Sequence, residues 1–182
     1  DLMRSITKFT ASDGAYDDNI GYSVSLYGDY ALIGAYGDDD NGSNSGSAYI
    51  FKRNGSTWTQ QQKLTASDGA SDDLFGFSAS LYEDYALIGA QGDDSDKGSA
   101  YIFKRNGSTW TQQQKFTASD GSSNDNFGIS VSLFKDNALI GAYDDDSSKG
   151  SAYILDITED TLLLENKPND GTTIASFVSG QK

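Results

Sequence analysis

Lys63-Leu-Thr-Ala-Ser-Asp-Gly69, an acidic turn, Phe75-Gly-Phe-Ser-Ala-Ser-Leu81, Tyr85-Ala-Leu-Ile-Gly-Ala90, an Asp-rich loop, Gly98-Ser-Ala-Tyr-Ile-Phe103 and Asn106-Gly-Ser-Thr-Trp110 follow one another in a unit that runs to Gln114. The same order of segments starts at Lys8 and again at Lys115, a repeat of 52–55 residues. A period of that length is the mark of arrays, solenoids and propellers, whose single units cannot bury their apolar faces alone.

Each unit reads as four short strands. The first, Tyr22–Leu26, Phe77–Leu81 and Ile129–Leu133, places apolar residues at every second position with Ser between them. That is the strand period of two, and it cannot form an amphipathic helix. The small Ser side leaves room for another sheet to approach. Asp29, Asp84 and Asp136 sit in the tight turns that follow, where an Asp side chain stabilises the turn by local hydrogen bonding.

The second strand, Ala31-Leu-Ile-Gly-Ala35, recurs at 86–90 and 138–142 and is continuously apolar, as expected of a strand covered on both faces. Gly34, Gly89 and Gly141 within it predict a bulge or the close approach of a neighbouring backbone. The third strand is Ser47–Phe51, repeated at 99–103 and 151–155, and Asn54-Gly55 and Asn106-Gly107 are strong hairpin signals. The fourth, Thr57–Lys63, is polar and therefore expected to be exposed, with Trp58 or Trp110 as its large anchor. Lys52–Lys63 and Lys104–Lys115 are identical over twelve residues, including a Gln triplet that packing gives no evident reason to fix.

Four antiparallel strands per unit describe a propeller blade, and Gly, Asp, Asn and Ser punctuate the chain where helices would otherwise start. The fold class is all-β, with three four-stranded antiparallel blades. The expected division is an orphan strand of a preceding blade at 1–10, blades at 11–65, 66–117 and 118–164, and a tail or linker at 165–182. The third unit departs from the pattern after Ile154, and Leu162–Leu164 would serve as its last strand.

The chain has 182 residues, 27 acidic against 13 basic, and a net charge of -14. A chain this acidic is a poor partner for nucleic acid or anionic lipid. It contains no His and no Cys, which removes imidazole and thiolate metal sites and His-dependent nucleophilic catalysis. No apolar run reaches the ~20 residues of a membrane span, so no membrane insertion is expected.

The repeated Phe/Ile-Gly-x-Ser-x-Ser-Leu, x-Asp-x-Ala-Leu-Ile-Gly-Ala and Gly-Ser-Ala-Tyr-Ile-Phe segments resemble the FG-GAP repeat of bacterial secreted and surface proteins, over about residues 8–155. That family is related to the integrin-α propeller. The resemblance implies an extracellular, non-enzymatic propeller module for adhesion or for binding a protein or other ligand. The first copy departs from the motif with Ile20-Gly21, and Tyr36, Gln91 and Tyr143 stand where the family places a proline. The integrin-type calcium loop would fall at the short turns of Asp29, Asp84 and Asp136, which have no room for six or more oxygen ligands. Leu164–Phe177 is similar to the opening of cadherin-like repeats in bacterial adhesins.

Two sets of acidic loops recur, and the one before the first strand holds Asp13 with Asp17 and Asp18, Asp68 with Asp72 and Asp73, and Asp120 with Asn124 and Asp125. After the second strand stand Asp38, Asp39 and Asp40, then Asp93, Asp94 and Asp96, then Asp145 and Asp146. Carboxylates in Gly-rich loops are what Ca²⁺ takes, although none fits the EF-hand spacing, and Lys97 and Lys149 bring positive charge into two of these loops. Solvated turns are the other reading, and no cofactor is required by it. Trp58 and Trp110 either stack a glycan, as in a lectin, or pin the outer strand to its blade. Closed propellers have four to eight blades. Three therefore leave open a longer chain, a homo-oligomeric ring, or a head-to-tail extracellular filament completed by strand donation.

Overall fold

The computed structural model describes residues 6–158 and the short strand 173–175. Its strands fall into three sheets that follow the repeats. The first is β1 (Val24–Tyr27), β2 (Tyr30–Ala35), β3 (Ser47–Asn54) and β4 (Thr57–Leu64), antiparallel in chain order. The second is β5 (Phe75–Tyr82), β6 (Tyr85–Ala90), β7 (Ser99–Asn106) and β8 (Thr109–Ala118). β12 (Thr173–Ala175) joins its edge, parallel to β8. The third is β9 (Phe127–Phe134), β10 (Asn137–Ala142) and β11 (Ser151–Asp156). The fourth strand expected at Leu162–Leu164 lies outside the described residues.

The all-apolar second strand is a central strand, as its sequence requires: all six residues of β2 are buried, and five of six in β6. In β10 the alternate residues Leu139 and Asn137 are exposed. Leu32 and Leu87, the residues matching Leu139, are fully buried because the next blade covers them. One core cluster joins Leu32 and Ile50 of the first blade to Phe75, Leu81 and Ile88 of the second, and another joins Leu87 and Ile102 to Phe127, Leu133 and Ile140 of the third. The core thus sits between blades as much as within them.

The alternation of Ser along the first strand acts as predicted. Ser23 Oγ donates to the Gly76 carbonyl at 2.8 Å, and Ser78 Oγ to that of Gly128 at 2.7 Å. A Cβ on Gly34 or Gly89 would overlap those same carbonyl oxygens, so both glycines are fixed by the approach of the next backbone. Residues 6–10 form no strand; Phe9 instead packs edge-on against Phe51 and Trp58, 4.9 and 5.5 Å between ring centres. No helix among the described residues is long and apolar enough to cross a membrane.

Candidate functional site

At one end of the first blade four elements meet. Tyr49 on β3 and Lys63 on β4 are register partners, so their side chains leave the sheet together. Asp13 arrives from the linker before the blade, and Asp38 and Asp40 from the loop after β2. The Tyr49 hydroxyl lies 3.0 Å from both Asp13 Oδ1 and Asp38 Oδ2, and its single proton serves one of them at a time. Lys63 Nζ lies 2.9 Å from Asp13 Oδ2, 2.7 Å from Asp38 Oδ2 and 2.5 Å from Asp40 Oδ2. Oxygens of these three carboxylates fall within 4.8 Å of one another, a spacing fit for a metal ion, and the ammonium stands among them.

The second blade repeats the arrangement. Tyr101 Oη is 3.0 Å from Asp68 Oδ1 and 3.3 Å from Asp93 Oδ2, and Lys115 Nζ is 2.7 Å from Asp68 and 2.5 Å from Asp93. Ser99 Oγ also donates to Asp93. In the third, Tyr153 Oη reaches Asp120 at 3.0 Å and Asp145 at 2.9 Å. Lys115 follows Lys63 by 52 residues, and the residue 52 further on is Lys167, outside the described residues.

In the first two clusters one ammonium stands among two or three carboxylates, and it shapes their electrostatics. Lys63 pulls the Asp13 carboxyl below its ordinary range against the opposing effect of burial. Burial works to raise Asp68, but the Lys115 ammonium outweighs it and the net shift is downward. Burial likewise opposes the charge on Lys63 and Lys115, and the carboxylates overcome it, holding both ammonium groups above the normal lysine value. Burial raises Tyr49, Tyr101 and Tyr153, so these phenols stay protonated donors. In the third blade the Ser151 hydroxyl is the largest influence lowering Asp145, ahead of Tyr153.

A second buried set, Asp18, Asp73 and Asp125, folds its own turns. Each Oδ2 accepts from the backbone N–H three residues earlier, Ala15 and Ala70 at 2.6 Å and Ser122 at 2.5 Å. Burial pushes Asp73 upward, and the Ala70 amide works against that shift.

Of the predicted metal ligands, only Asp38, Asp93 and Asp145 are buried within clusters. Asp40 is exposed and reaches Lys63. Asp39 is also exposed and accepts from the Asn44 amide at 2.7 Å. Asp94 and Asp146 are exposed and pair with Lys97 and Lys149 at 3.0 and 3.3 Å. Asp96 is exposed in a left-handed turn with φ 61°, and its backbone carbonyl accepts from the Asn126 amide at 2.9 Å. The lysines local to the Asp loops therefore do not meet the buried carboxylates; lysines from the fourth strands do.

Trp58 is half-buried against Phe9, with the Arg53 guanidinium 5.7 Å from its ring centre. Trp110 is 2% exposed and packs against Tyr30 of the first blade. It has no free face for a sugar ring, which corrects its assignment as a glycan contact. Beside the third cluster lies an open hollow of about 690 Å³ lined by Asp120, Ser122, Asp125, Asp145, Asp146 and Ser151 among others, all of them Asp, Ser or Asn.

The Gln triplet proves to be fixed by packing. Gln60 accepts from Ser12 N at 2.9 Å and donates to Ser12 Oγ at 3.1 Å, clamping the linker in front of the Asp13 cluster. Gln112 does the same to Ser67, at 3.0 and 2.9 Å. Gln62 spans two blades, donating to the Trp110 carbonyl at 2.7 Å and accepting from its N–H at 2.8 Å. Gln61 is the unpaired residue of the β3–β4 bulge and accepts from Trp110 Nε1 at 3.4 Å.

In comparison with known proteins, the FG-GAP repeat matches the chain three times, over residues 3–51, 58–103 and 110–155. No curated protein sequence matches it. Among solved structures it is similar to the computationally designed Ika4 protein, with a TM-score of 0.51 at 11% identity, over 84% of this chain and 74% of that one. At that identity the likeness is one of fold.

Proposed function

This chain belongs to the FG-GAP repeat family, and from that membership and its geometry we propose that it is a non-enzymatic extracellular propeller module, the adhesive or protein-binding part of a bacterial secreted or surface protein. The observation that carries this reading is how the chain uses its own polar chemistry. In the first two blades a lysine ammonium pairs with the clustered carboxylates and a buried tyrosine hydroxyl lies within hydrogen-bond distance of them. Carboxylates spent in this way offer neither the protonated acid nor the free base that hydrolysis of a glycoside needs. The same ammonium groups supply the cation that the cluster geometry calls for, so the module needs no calcium in these two blades. The burial of Trp110 and the lack of aromatic residues around the acidic hollow favour protein contact over a lectin.

Two experiments test this. Incubation of the purified chain with a panel of polysaccharides gives no turnover; cleavage that disappears with Asp73→Asn would end the reading. Thermal melting is unchanged by chelator or by added Ca²⁺. A resident site at ~100 Kd of calcium would instead shift stability by about 2.7 kcal/mol.

A second reading, self-association, is favoured by the terminal blades. Val24, Leu26 and Tyr22 on the first, and Leu139, Phe134, Tyr143 and Ile154 on the third, are large apolar residues left 47–67% exposed. Contiguous exposed apolar residues of this kind mark interaction surfaces.

A further inference from the structure

We propose that these two exposed faces are the separated halves of one blade–blade interface, and that a second copy of this chain fills both, head to tail, closing a six-bladed ring. The proposal rests on the reading that the module works through protein contacts at its terminal faces.

The interface occurs twice within the chain, which shows what each half requires. At the join between the first and second blades, Leu32 and Ile50 are covered by Leu81 and Ala79; at the next join Leu87 and Ile102 are covered by Leu133 and Val131. Leu32, Ile50, Leu87 and Ile102 are all 0% exposed. Their counterparts in the third blade, Leu139 and Ile154, are 47% and 62% exposed. On the first blade the counterparts of Ala79 and Leu81 are Val24 and Leu26, both 67% exposed. Each missing cover is the other end of the same molecule.

The polar contacts divide in the same way. Ser23 and Ser78 donate to the carbonyls of Gly76 and Gly128, which leaves the exposed Ser130 as the unmatched donor and the Gly21 carbonyl as the unmatched acceptor. Leu81 N donates to Ser25 Oγ and Leu133 N to Ser80 Oγ, each at 2.9 Å. That series leaves the exposed Ser132 on one end and Leu26 N on the other. Gly46 bridges Phe75 and Gly98 bridges Phe127; continuing the series pairs Gly150 with Ile20 of the second copy. The rings form a row as well, Tyr27 to Tyr82 at 5.0 Å and Tyr82 to Phe134 at 5.3 Å, with Phe134 61% exposed at the end of it.

A head-to-tail contact closes when its rotation divides the circle and otherwise polymerises. Here the operator is set by the two internal joins, and propeller blades close at four to eight. With three repeats per chain, two copies give six blades, and three copies would overshoot that range.

Sedimentation of the chain and of Leu139→Glu and Leu26→Glu tests this, with Ile154→Lys and Val24→Lys as second positions on each face. All four residues are exposed in the single chain, so circular dichroism of dilute samples should remain native. The parent should sediment at twice the 19.5 kDa of one chain. Each variant should dissociate, weakening association by at least about 100-fold, because one buried charge strikes both joins of the ring. The proposal is overturned by a parent that stays single up to ~100 µM, by a variant on one face that remains paired, or by masses that climb beyond two copies. None of these outcomes bears on polysaccharide turnover, so the enzyme test and the association test fail separately.

Discussion

Replacing Lys115 by Met removes the ammonium while keeping most of the aliphatic stem. In the native blade that ammonium lies 2.7 Å from Asp68 and 2.5 Å from Asp93, and the lysine side chain is 17% exposed. The Asp93 side chain is 11% exposed and that of Asp68 is 48% exposed, so one carboxylate is nearly dry and the other is half in water. Removing one partner of a fully buried pair costs about 3–5 kcal/mol. The solvent around Asp68 screens part of that, which places Lys115→Met at about 2–3 kcal/mol. For a chain of this size that is a fall in Tm of roughly 5–10 °C. Urea titration at pH 7, with parent and variant at equal concentration, measures it directly. Adding Asp93→Asn removes the stranded charge and should recover at least about 1 kcal/mol, a coupling that only interacting residues show. A Lys115→Met protein within ~0.5 kcal/mol of the parent, or strictly additive variants, would refute the role given to the lysine as an internal cation.

Gly89→Ala should destabilise by more than about 2 kcal/mol, since its Cβ overlaps the Gly128 carbonyl oxygen and pushes two blades apart. Gly14→Ala, which meets only Ala11, serves as the control and should fall within ~0.5 kcal/mol of the parent by thermal melting. Gln62→Ala breaks both hydrogen bonds to the Trp110 backbone and should cost about 1–3 kcal/mol in urea titration. Stability should be level from about pH 5 to 9 and fall above about pH 10. The folded-state values of Tyr49, Tyr101, Tyr153, Lys63 and Lys115 are raised, so in that range the unfolded chain loses these protons first. Asp13 and Asp68 are lowered, so their contribution is present above about pH 4 and lost on further acidification, with the raised Asp73 acting the opposite way. Urea midpoints across pH read both limbs, and Tyr101→Phe should flatten the alkaline one.

What the sequence conveyed was what lies within one repeat. The alternating Ser, the apolar second strand and the Asn-Gly hairpins each depend on neighbours a few residues away, and the period only repeats them; the strands and hairpins lie where they were expected. What it concealed lies between distant segments. Lys63 meets Asp13 across 50 residues, and the Asp loops point to Lys97 and Lys149 only because these stand beside them in the chain. The recurrence of Lys before Leu/Phe-Thr-Ala-Ser-Asp-Gly, together with Tyr in each Ser-Ala-Tyr-Ile, was the available signal for the cluster. Trp110 is buried against Tyr30 of the first blade, while the matching Trp58 is half-buried against Phe9. Gln60 and Gln112 are likewise explained by contacts with a linker, and Gln62 by contacts with a second blade, which no local pattern encodes.

The same dependence on neighbouring blades is what makes the two ends informative. An interior blade of this chain hides Leu87 and Ile102 completely, while an end blade shows the equivalent residues to solvent. Native mass spectrometry of the unmodified 182-residue chain puts the question of what covers them most directly. The account predicts a dominant species at twice 19.5 kDa, insensitive to chelator. A single-chain mass at every concentration, or a ladder of growing polymers, would contradict it.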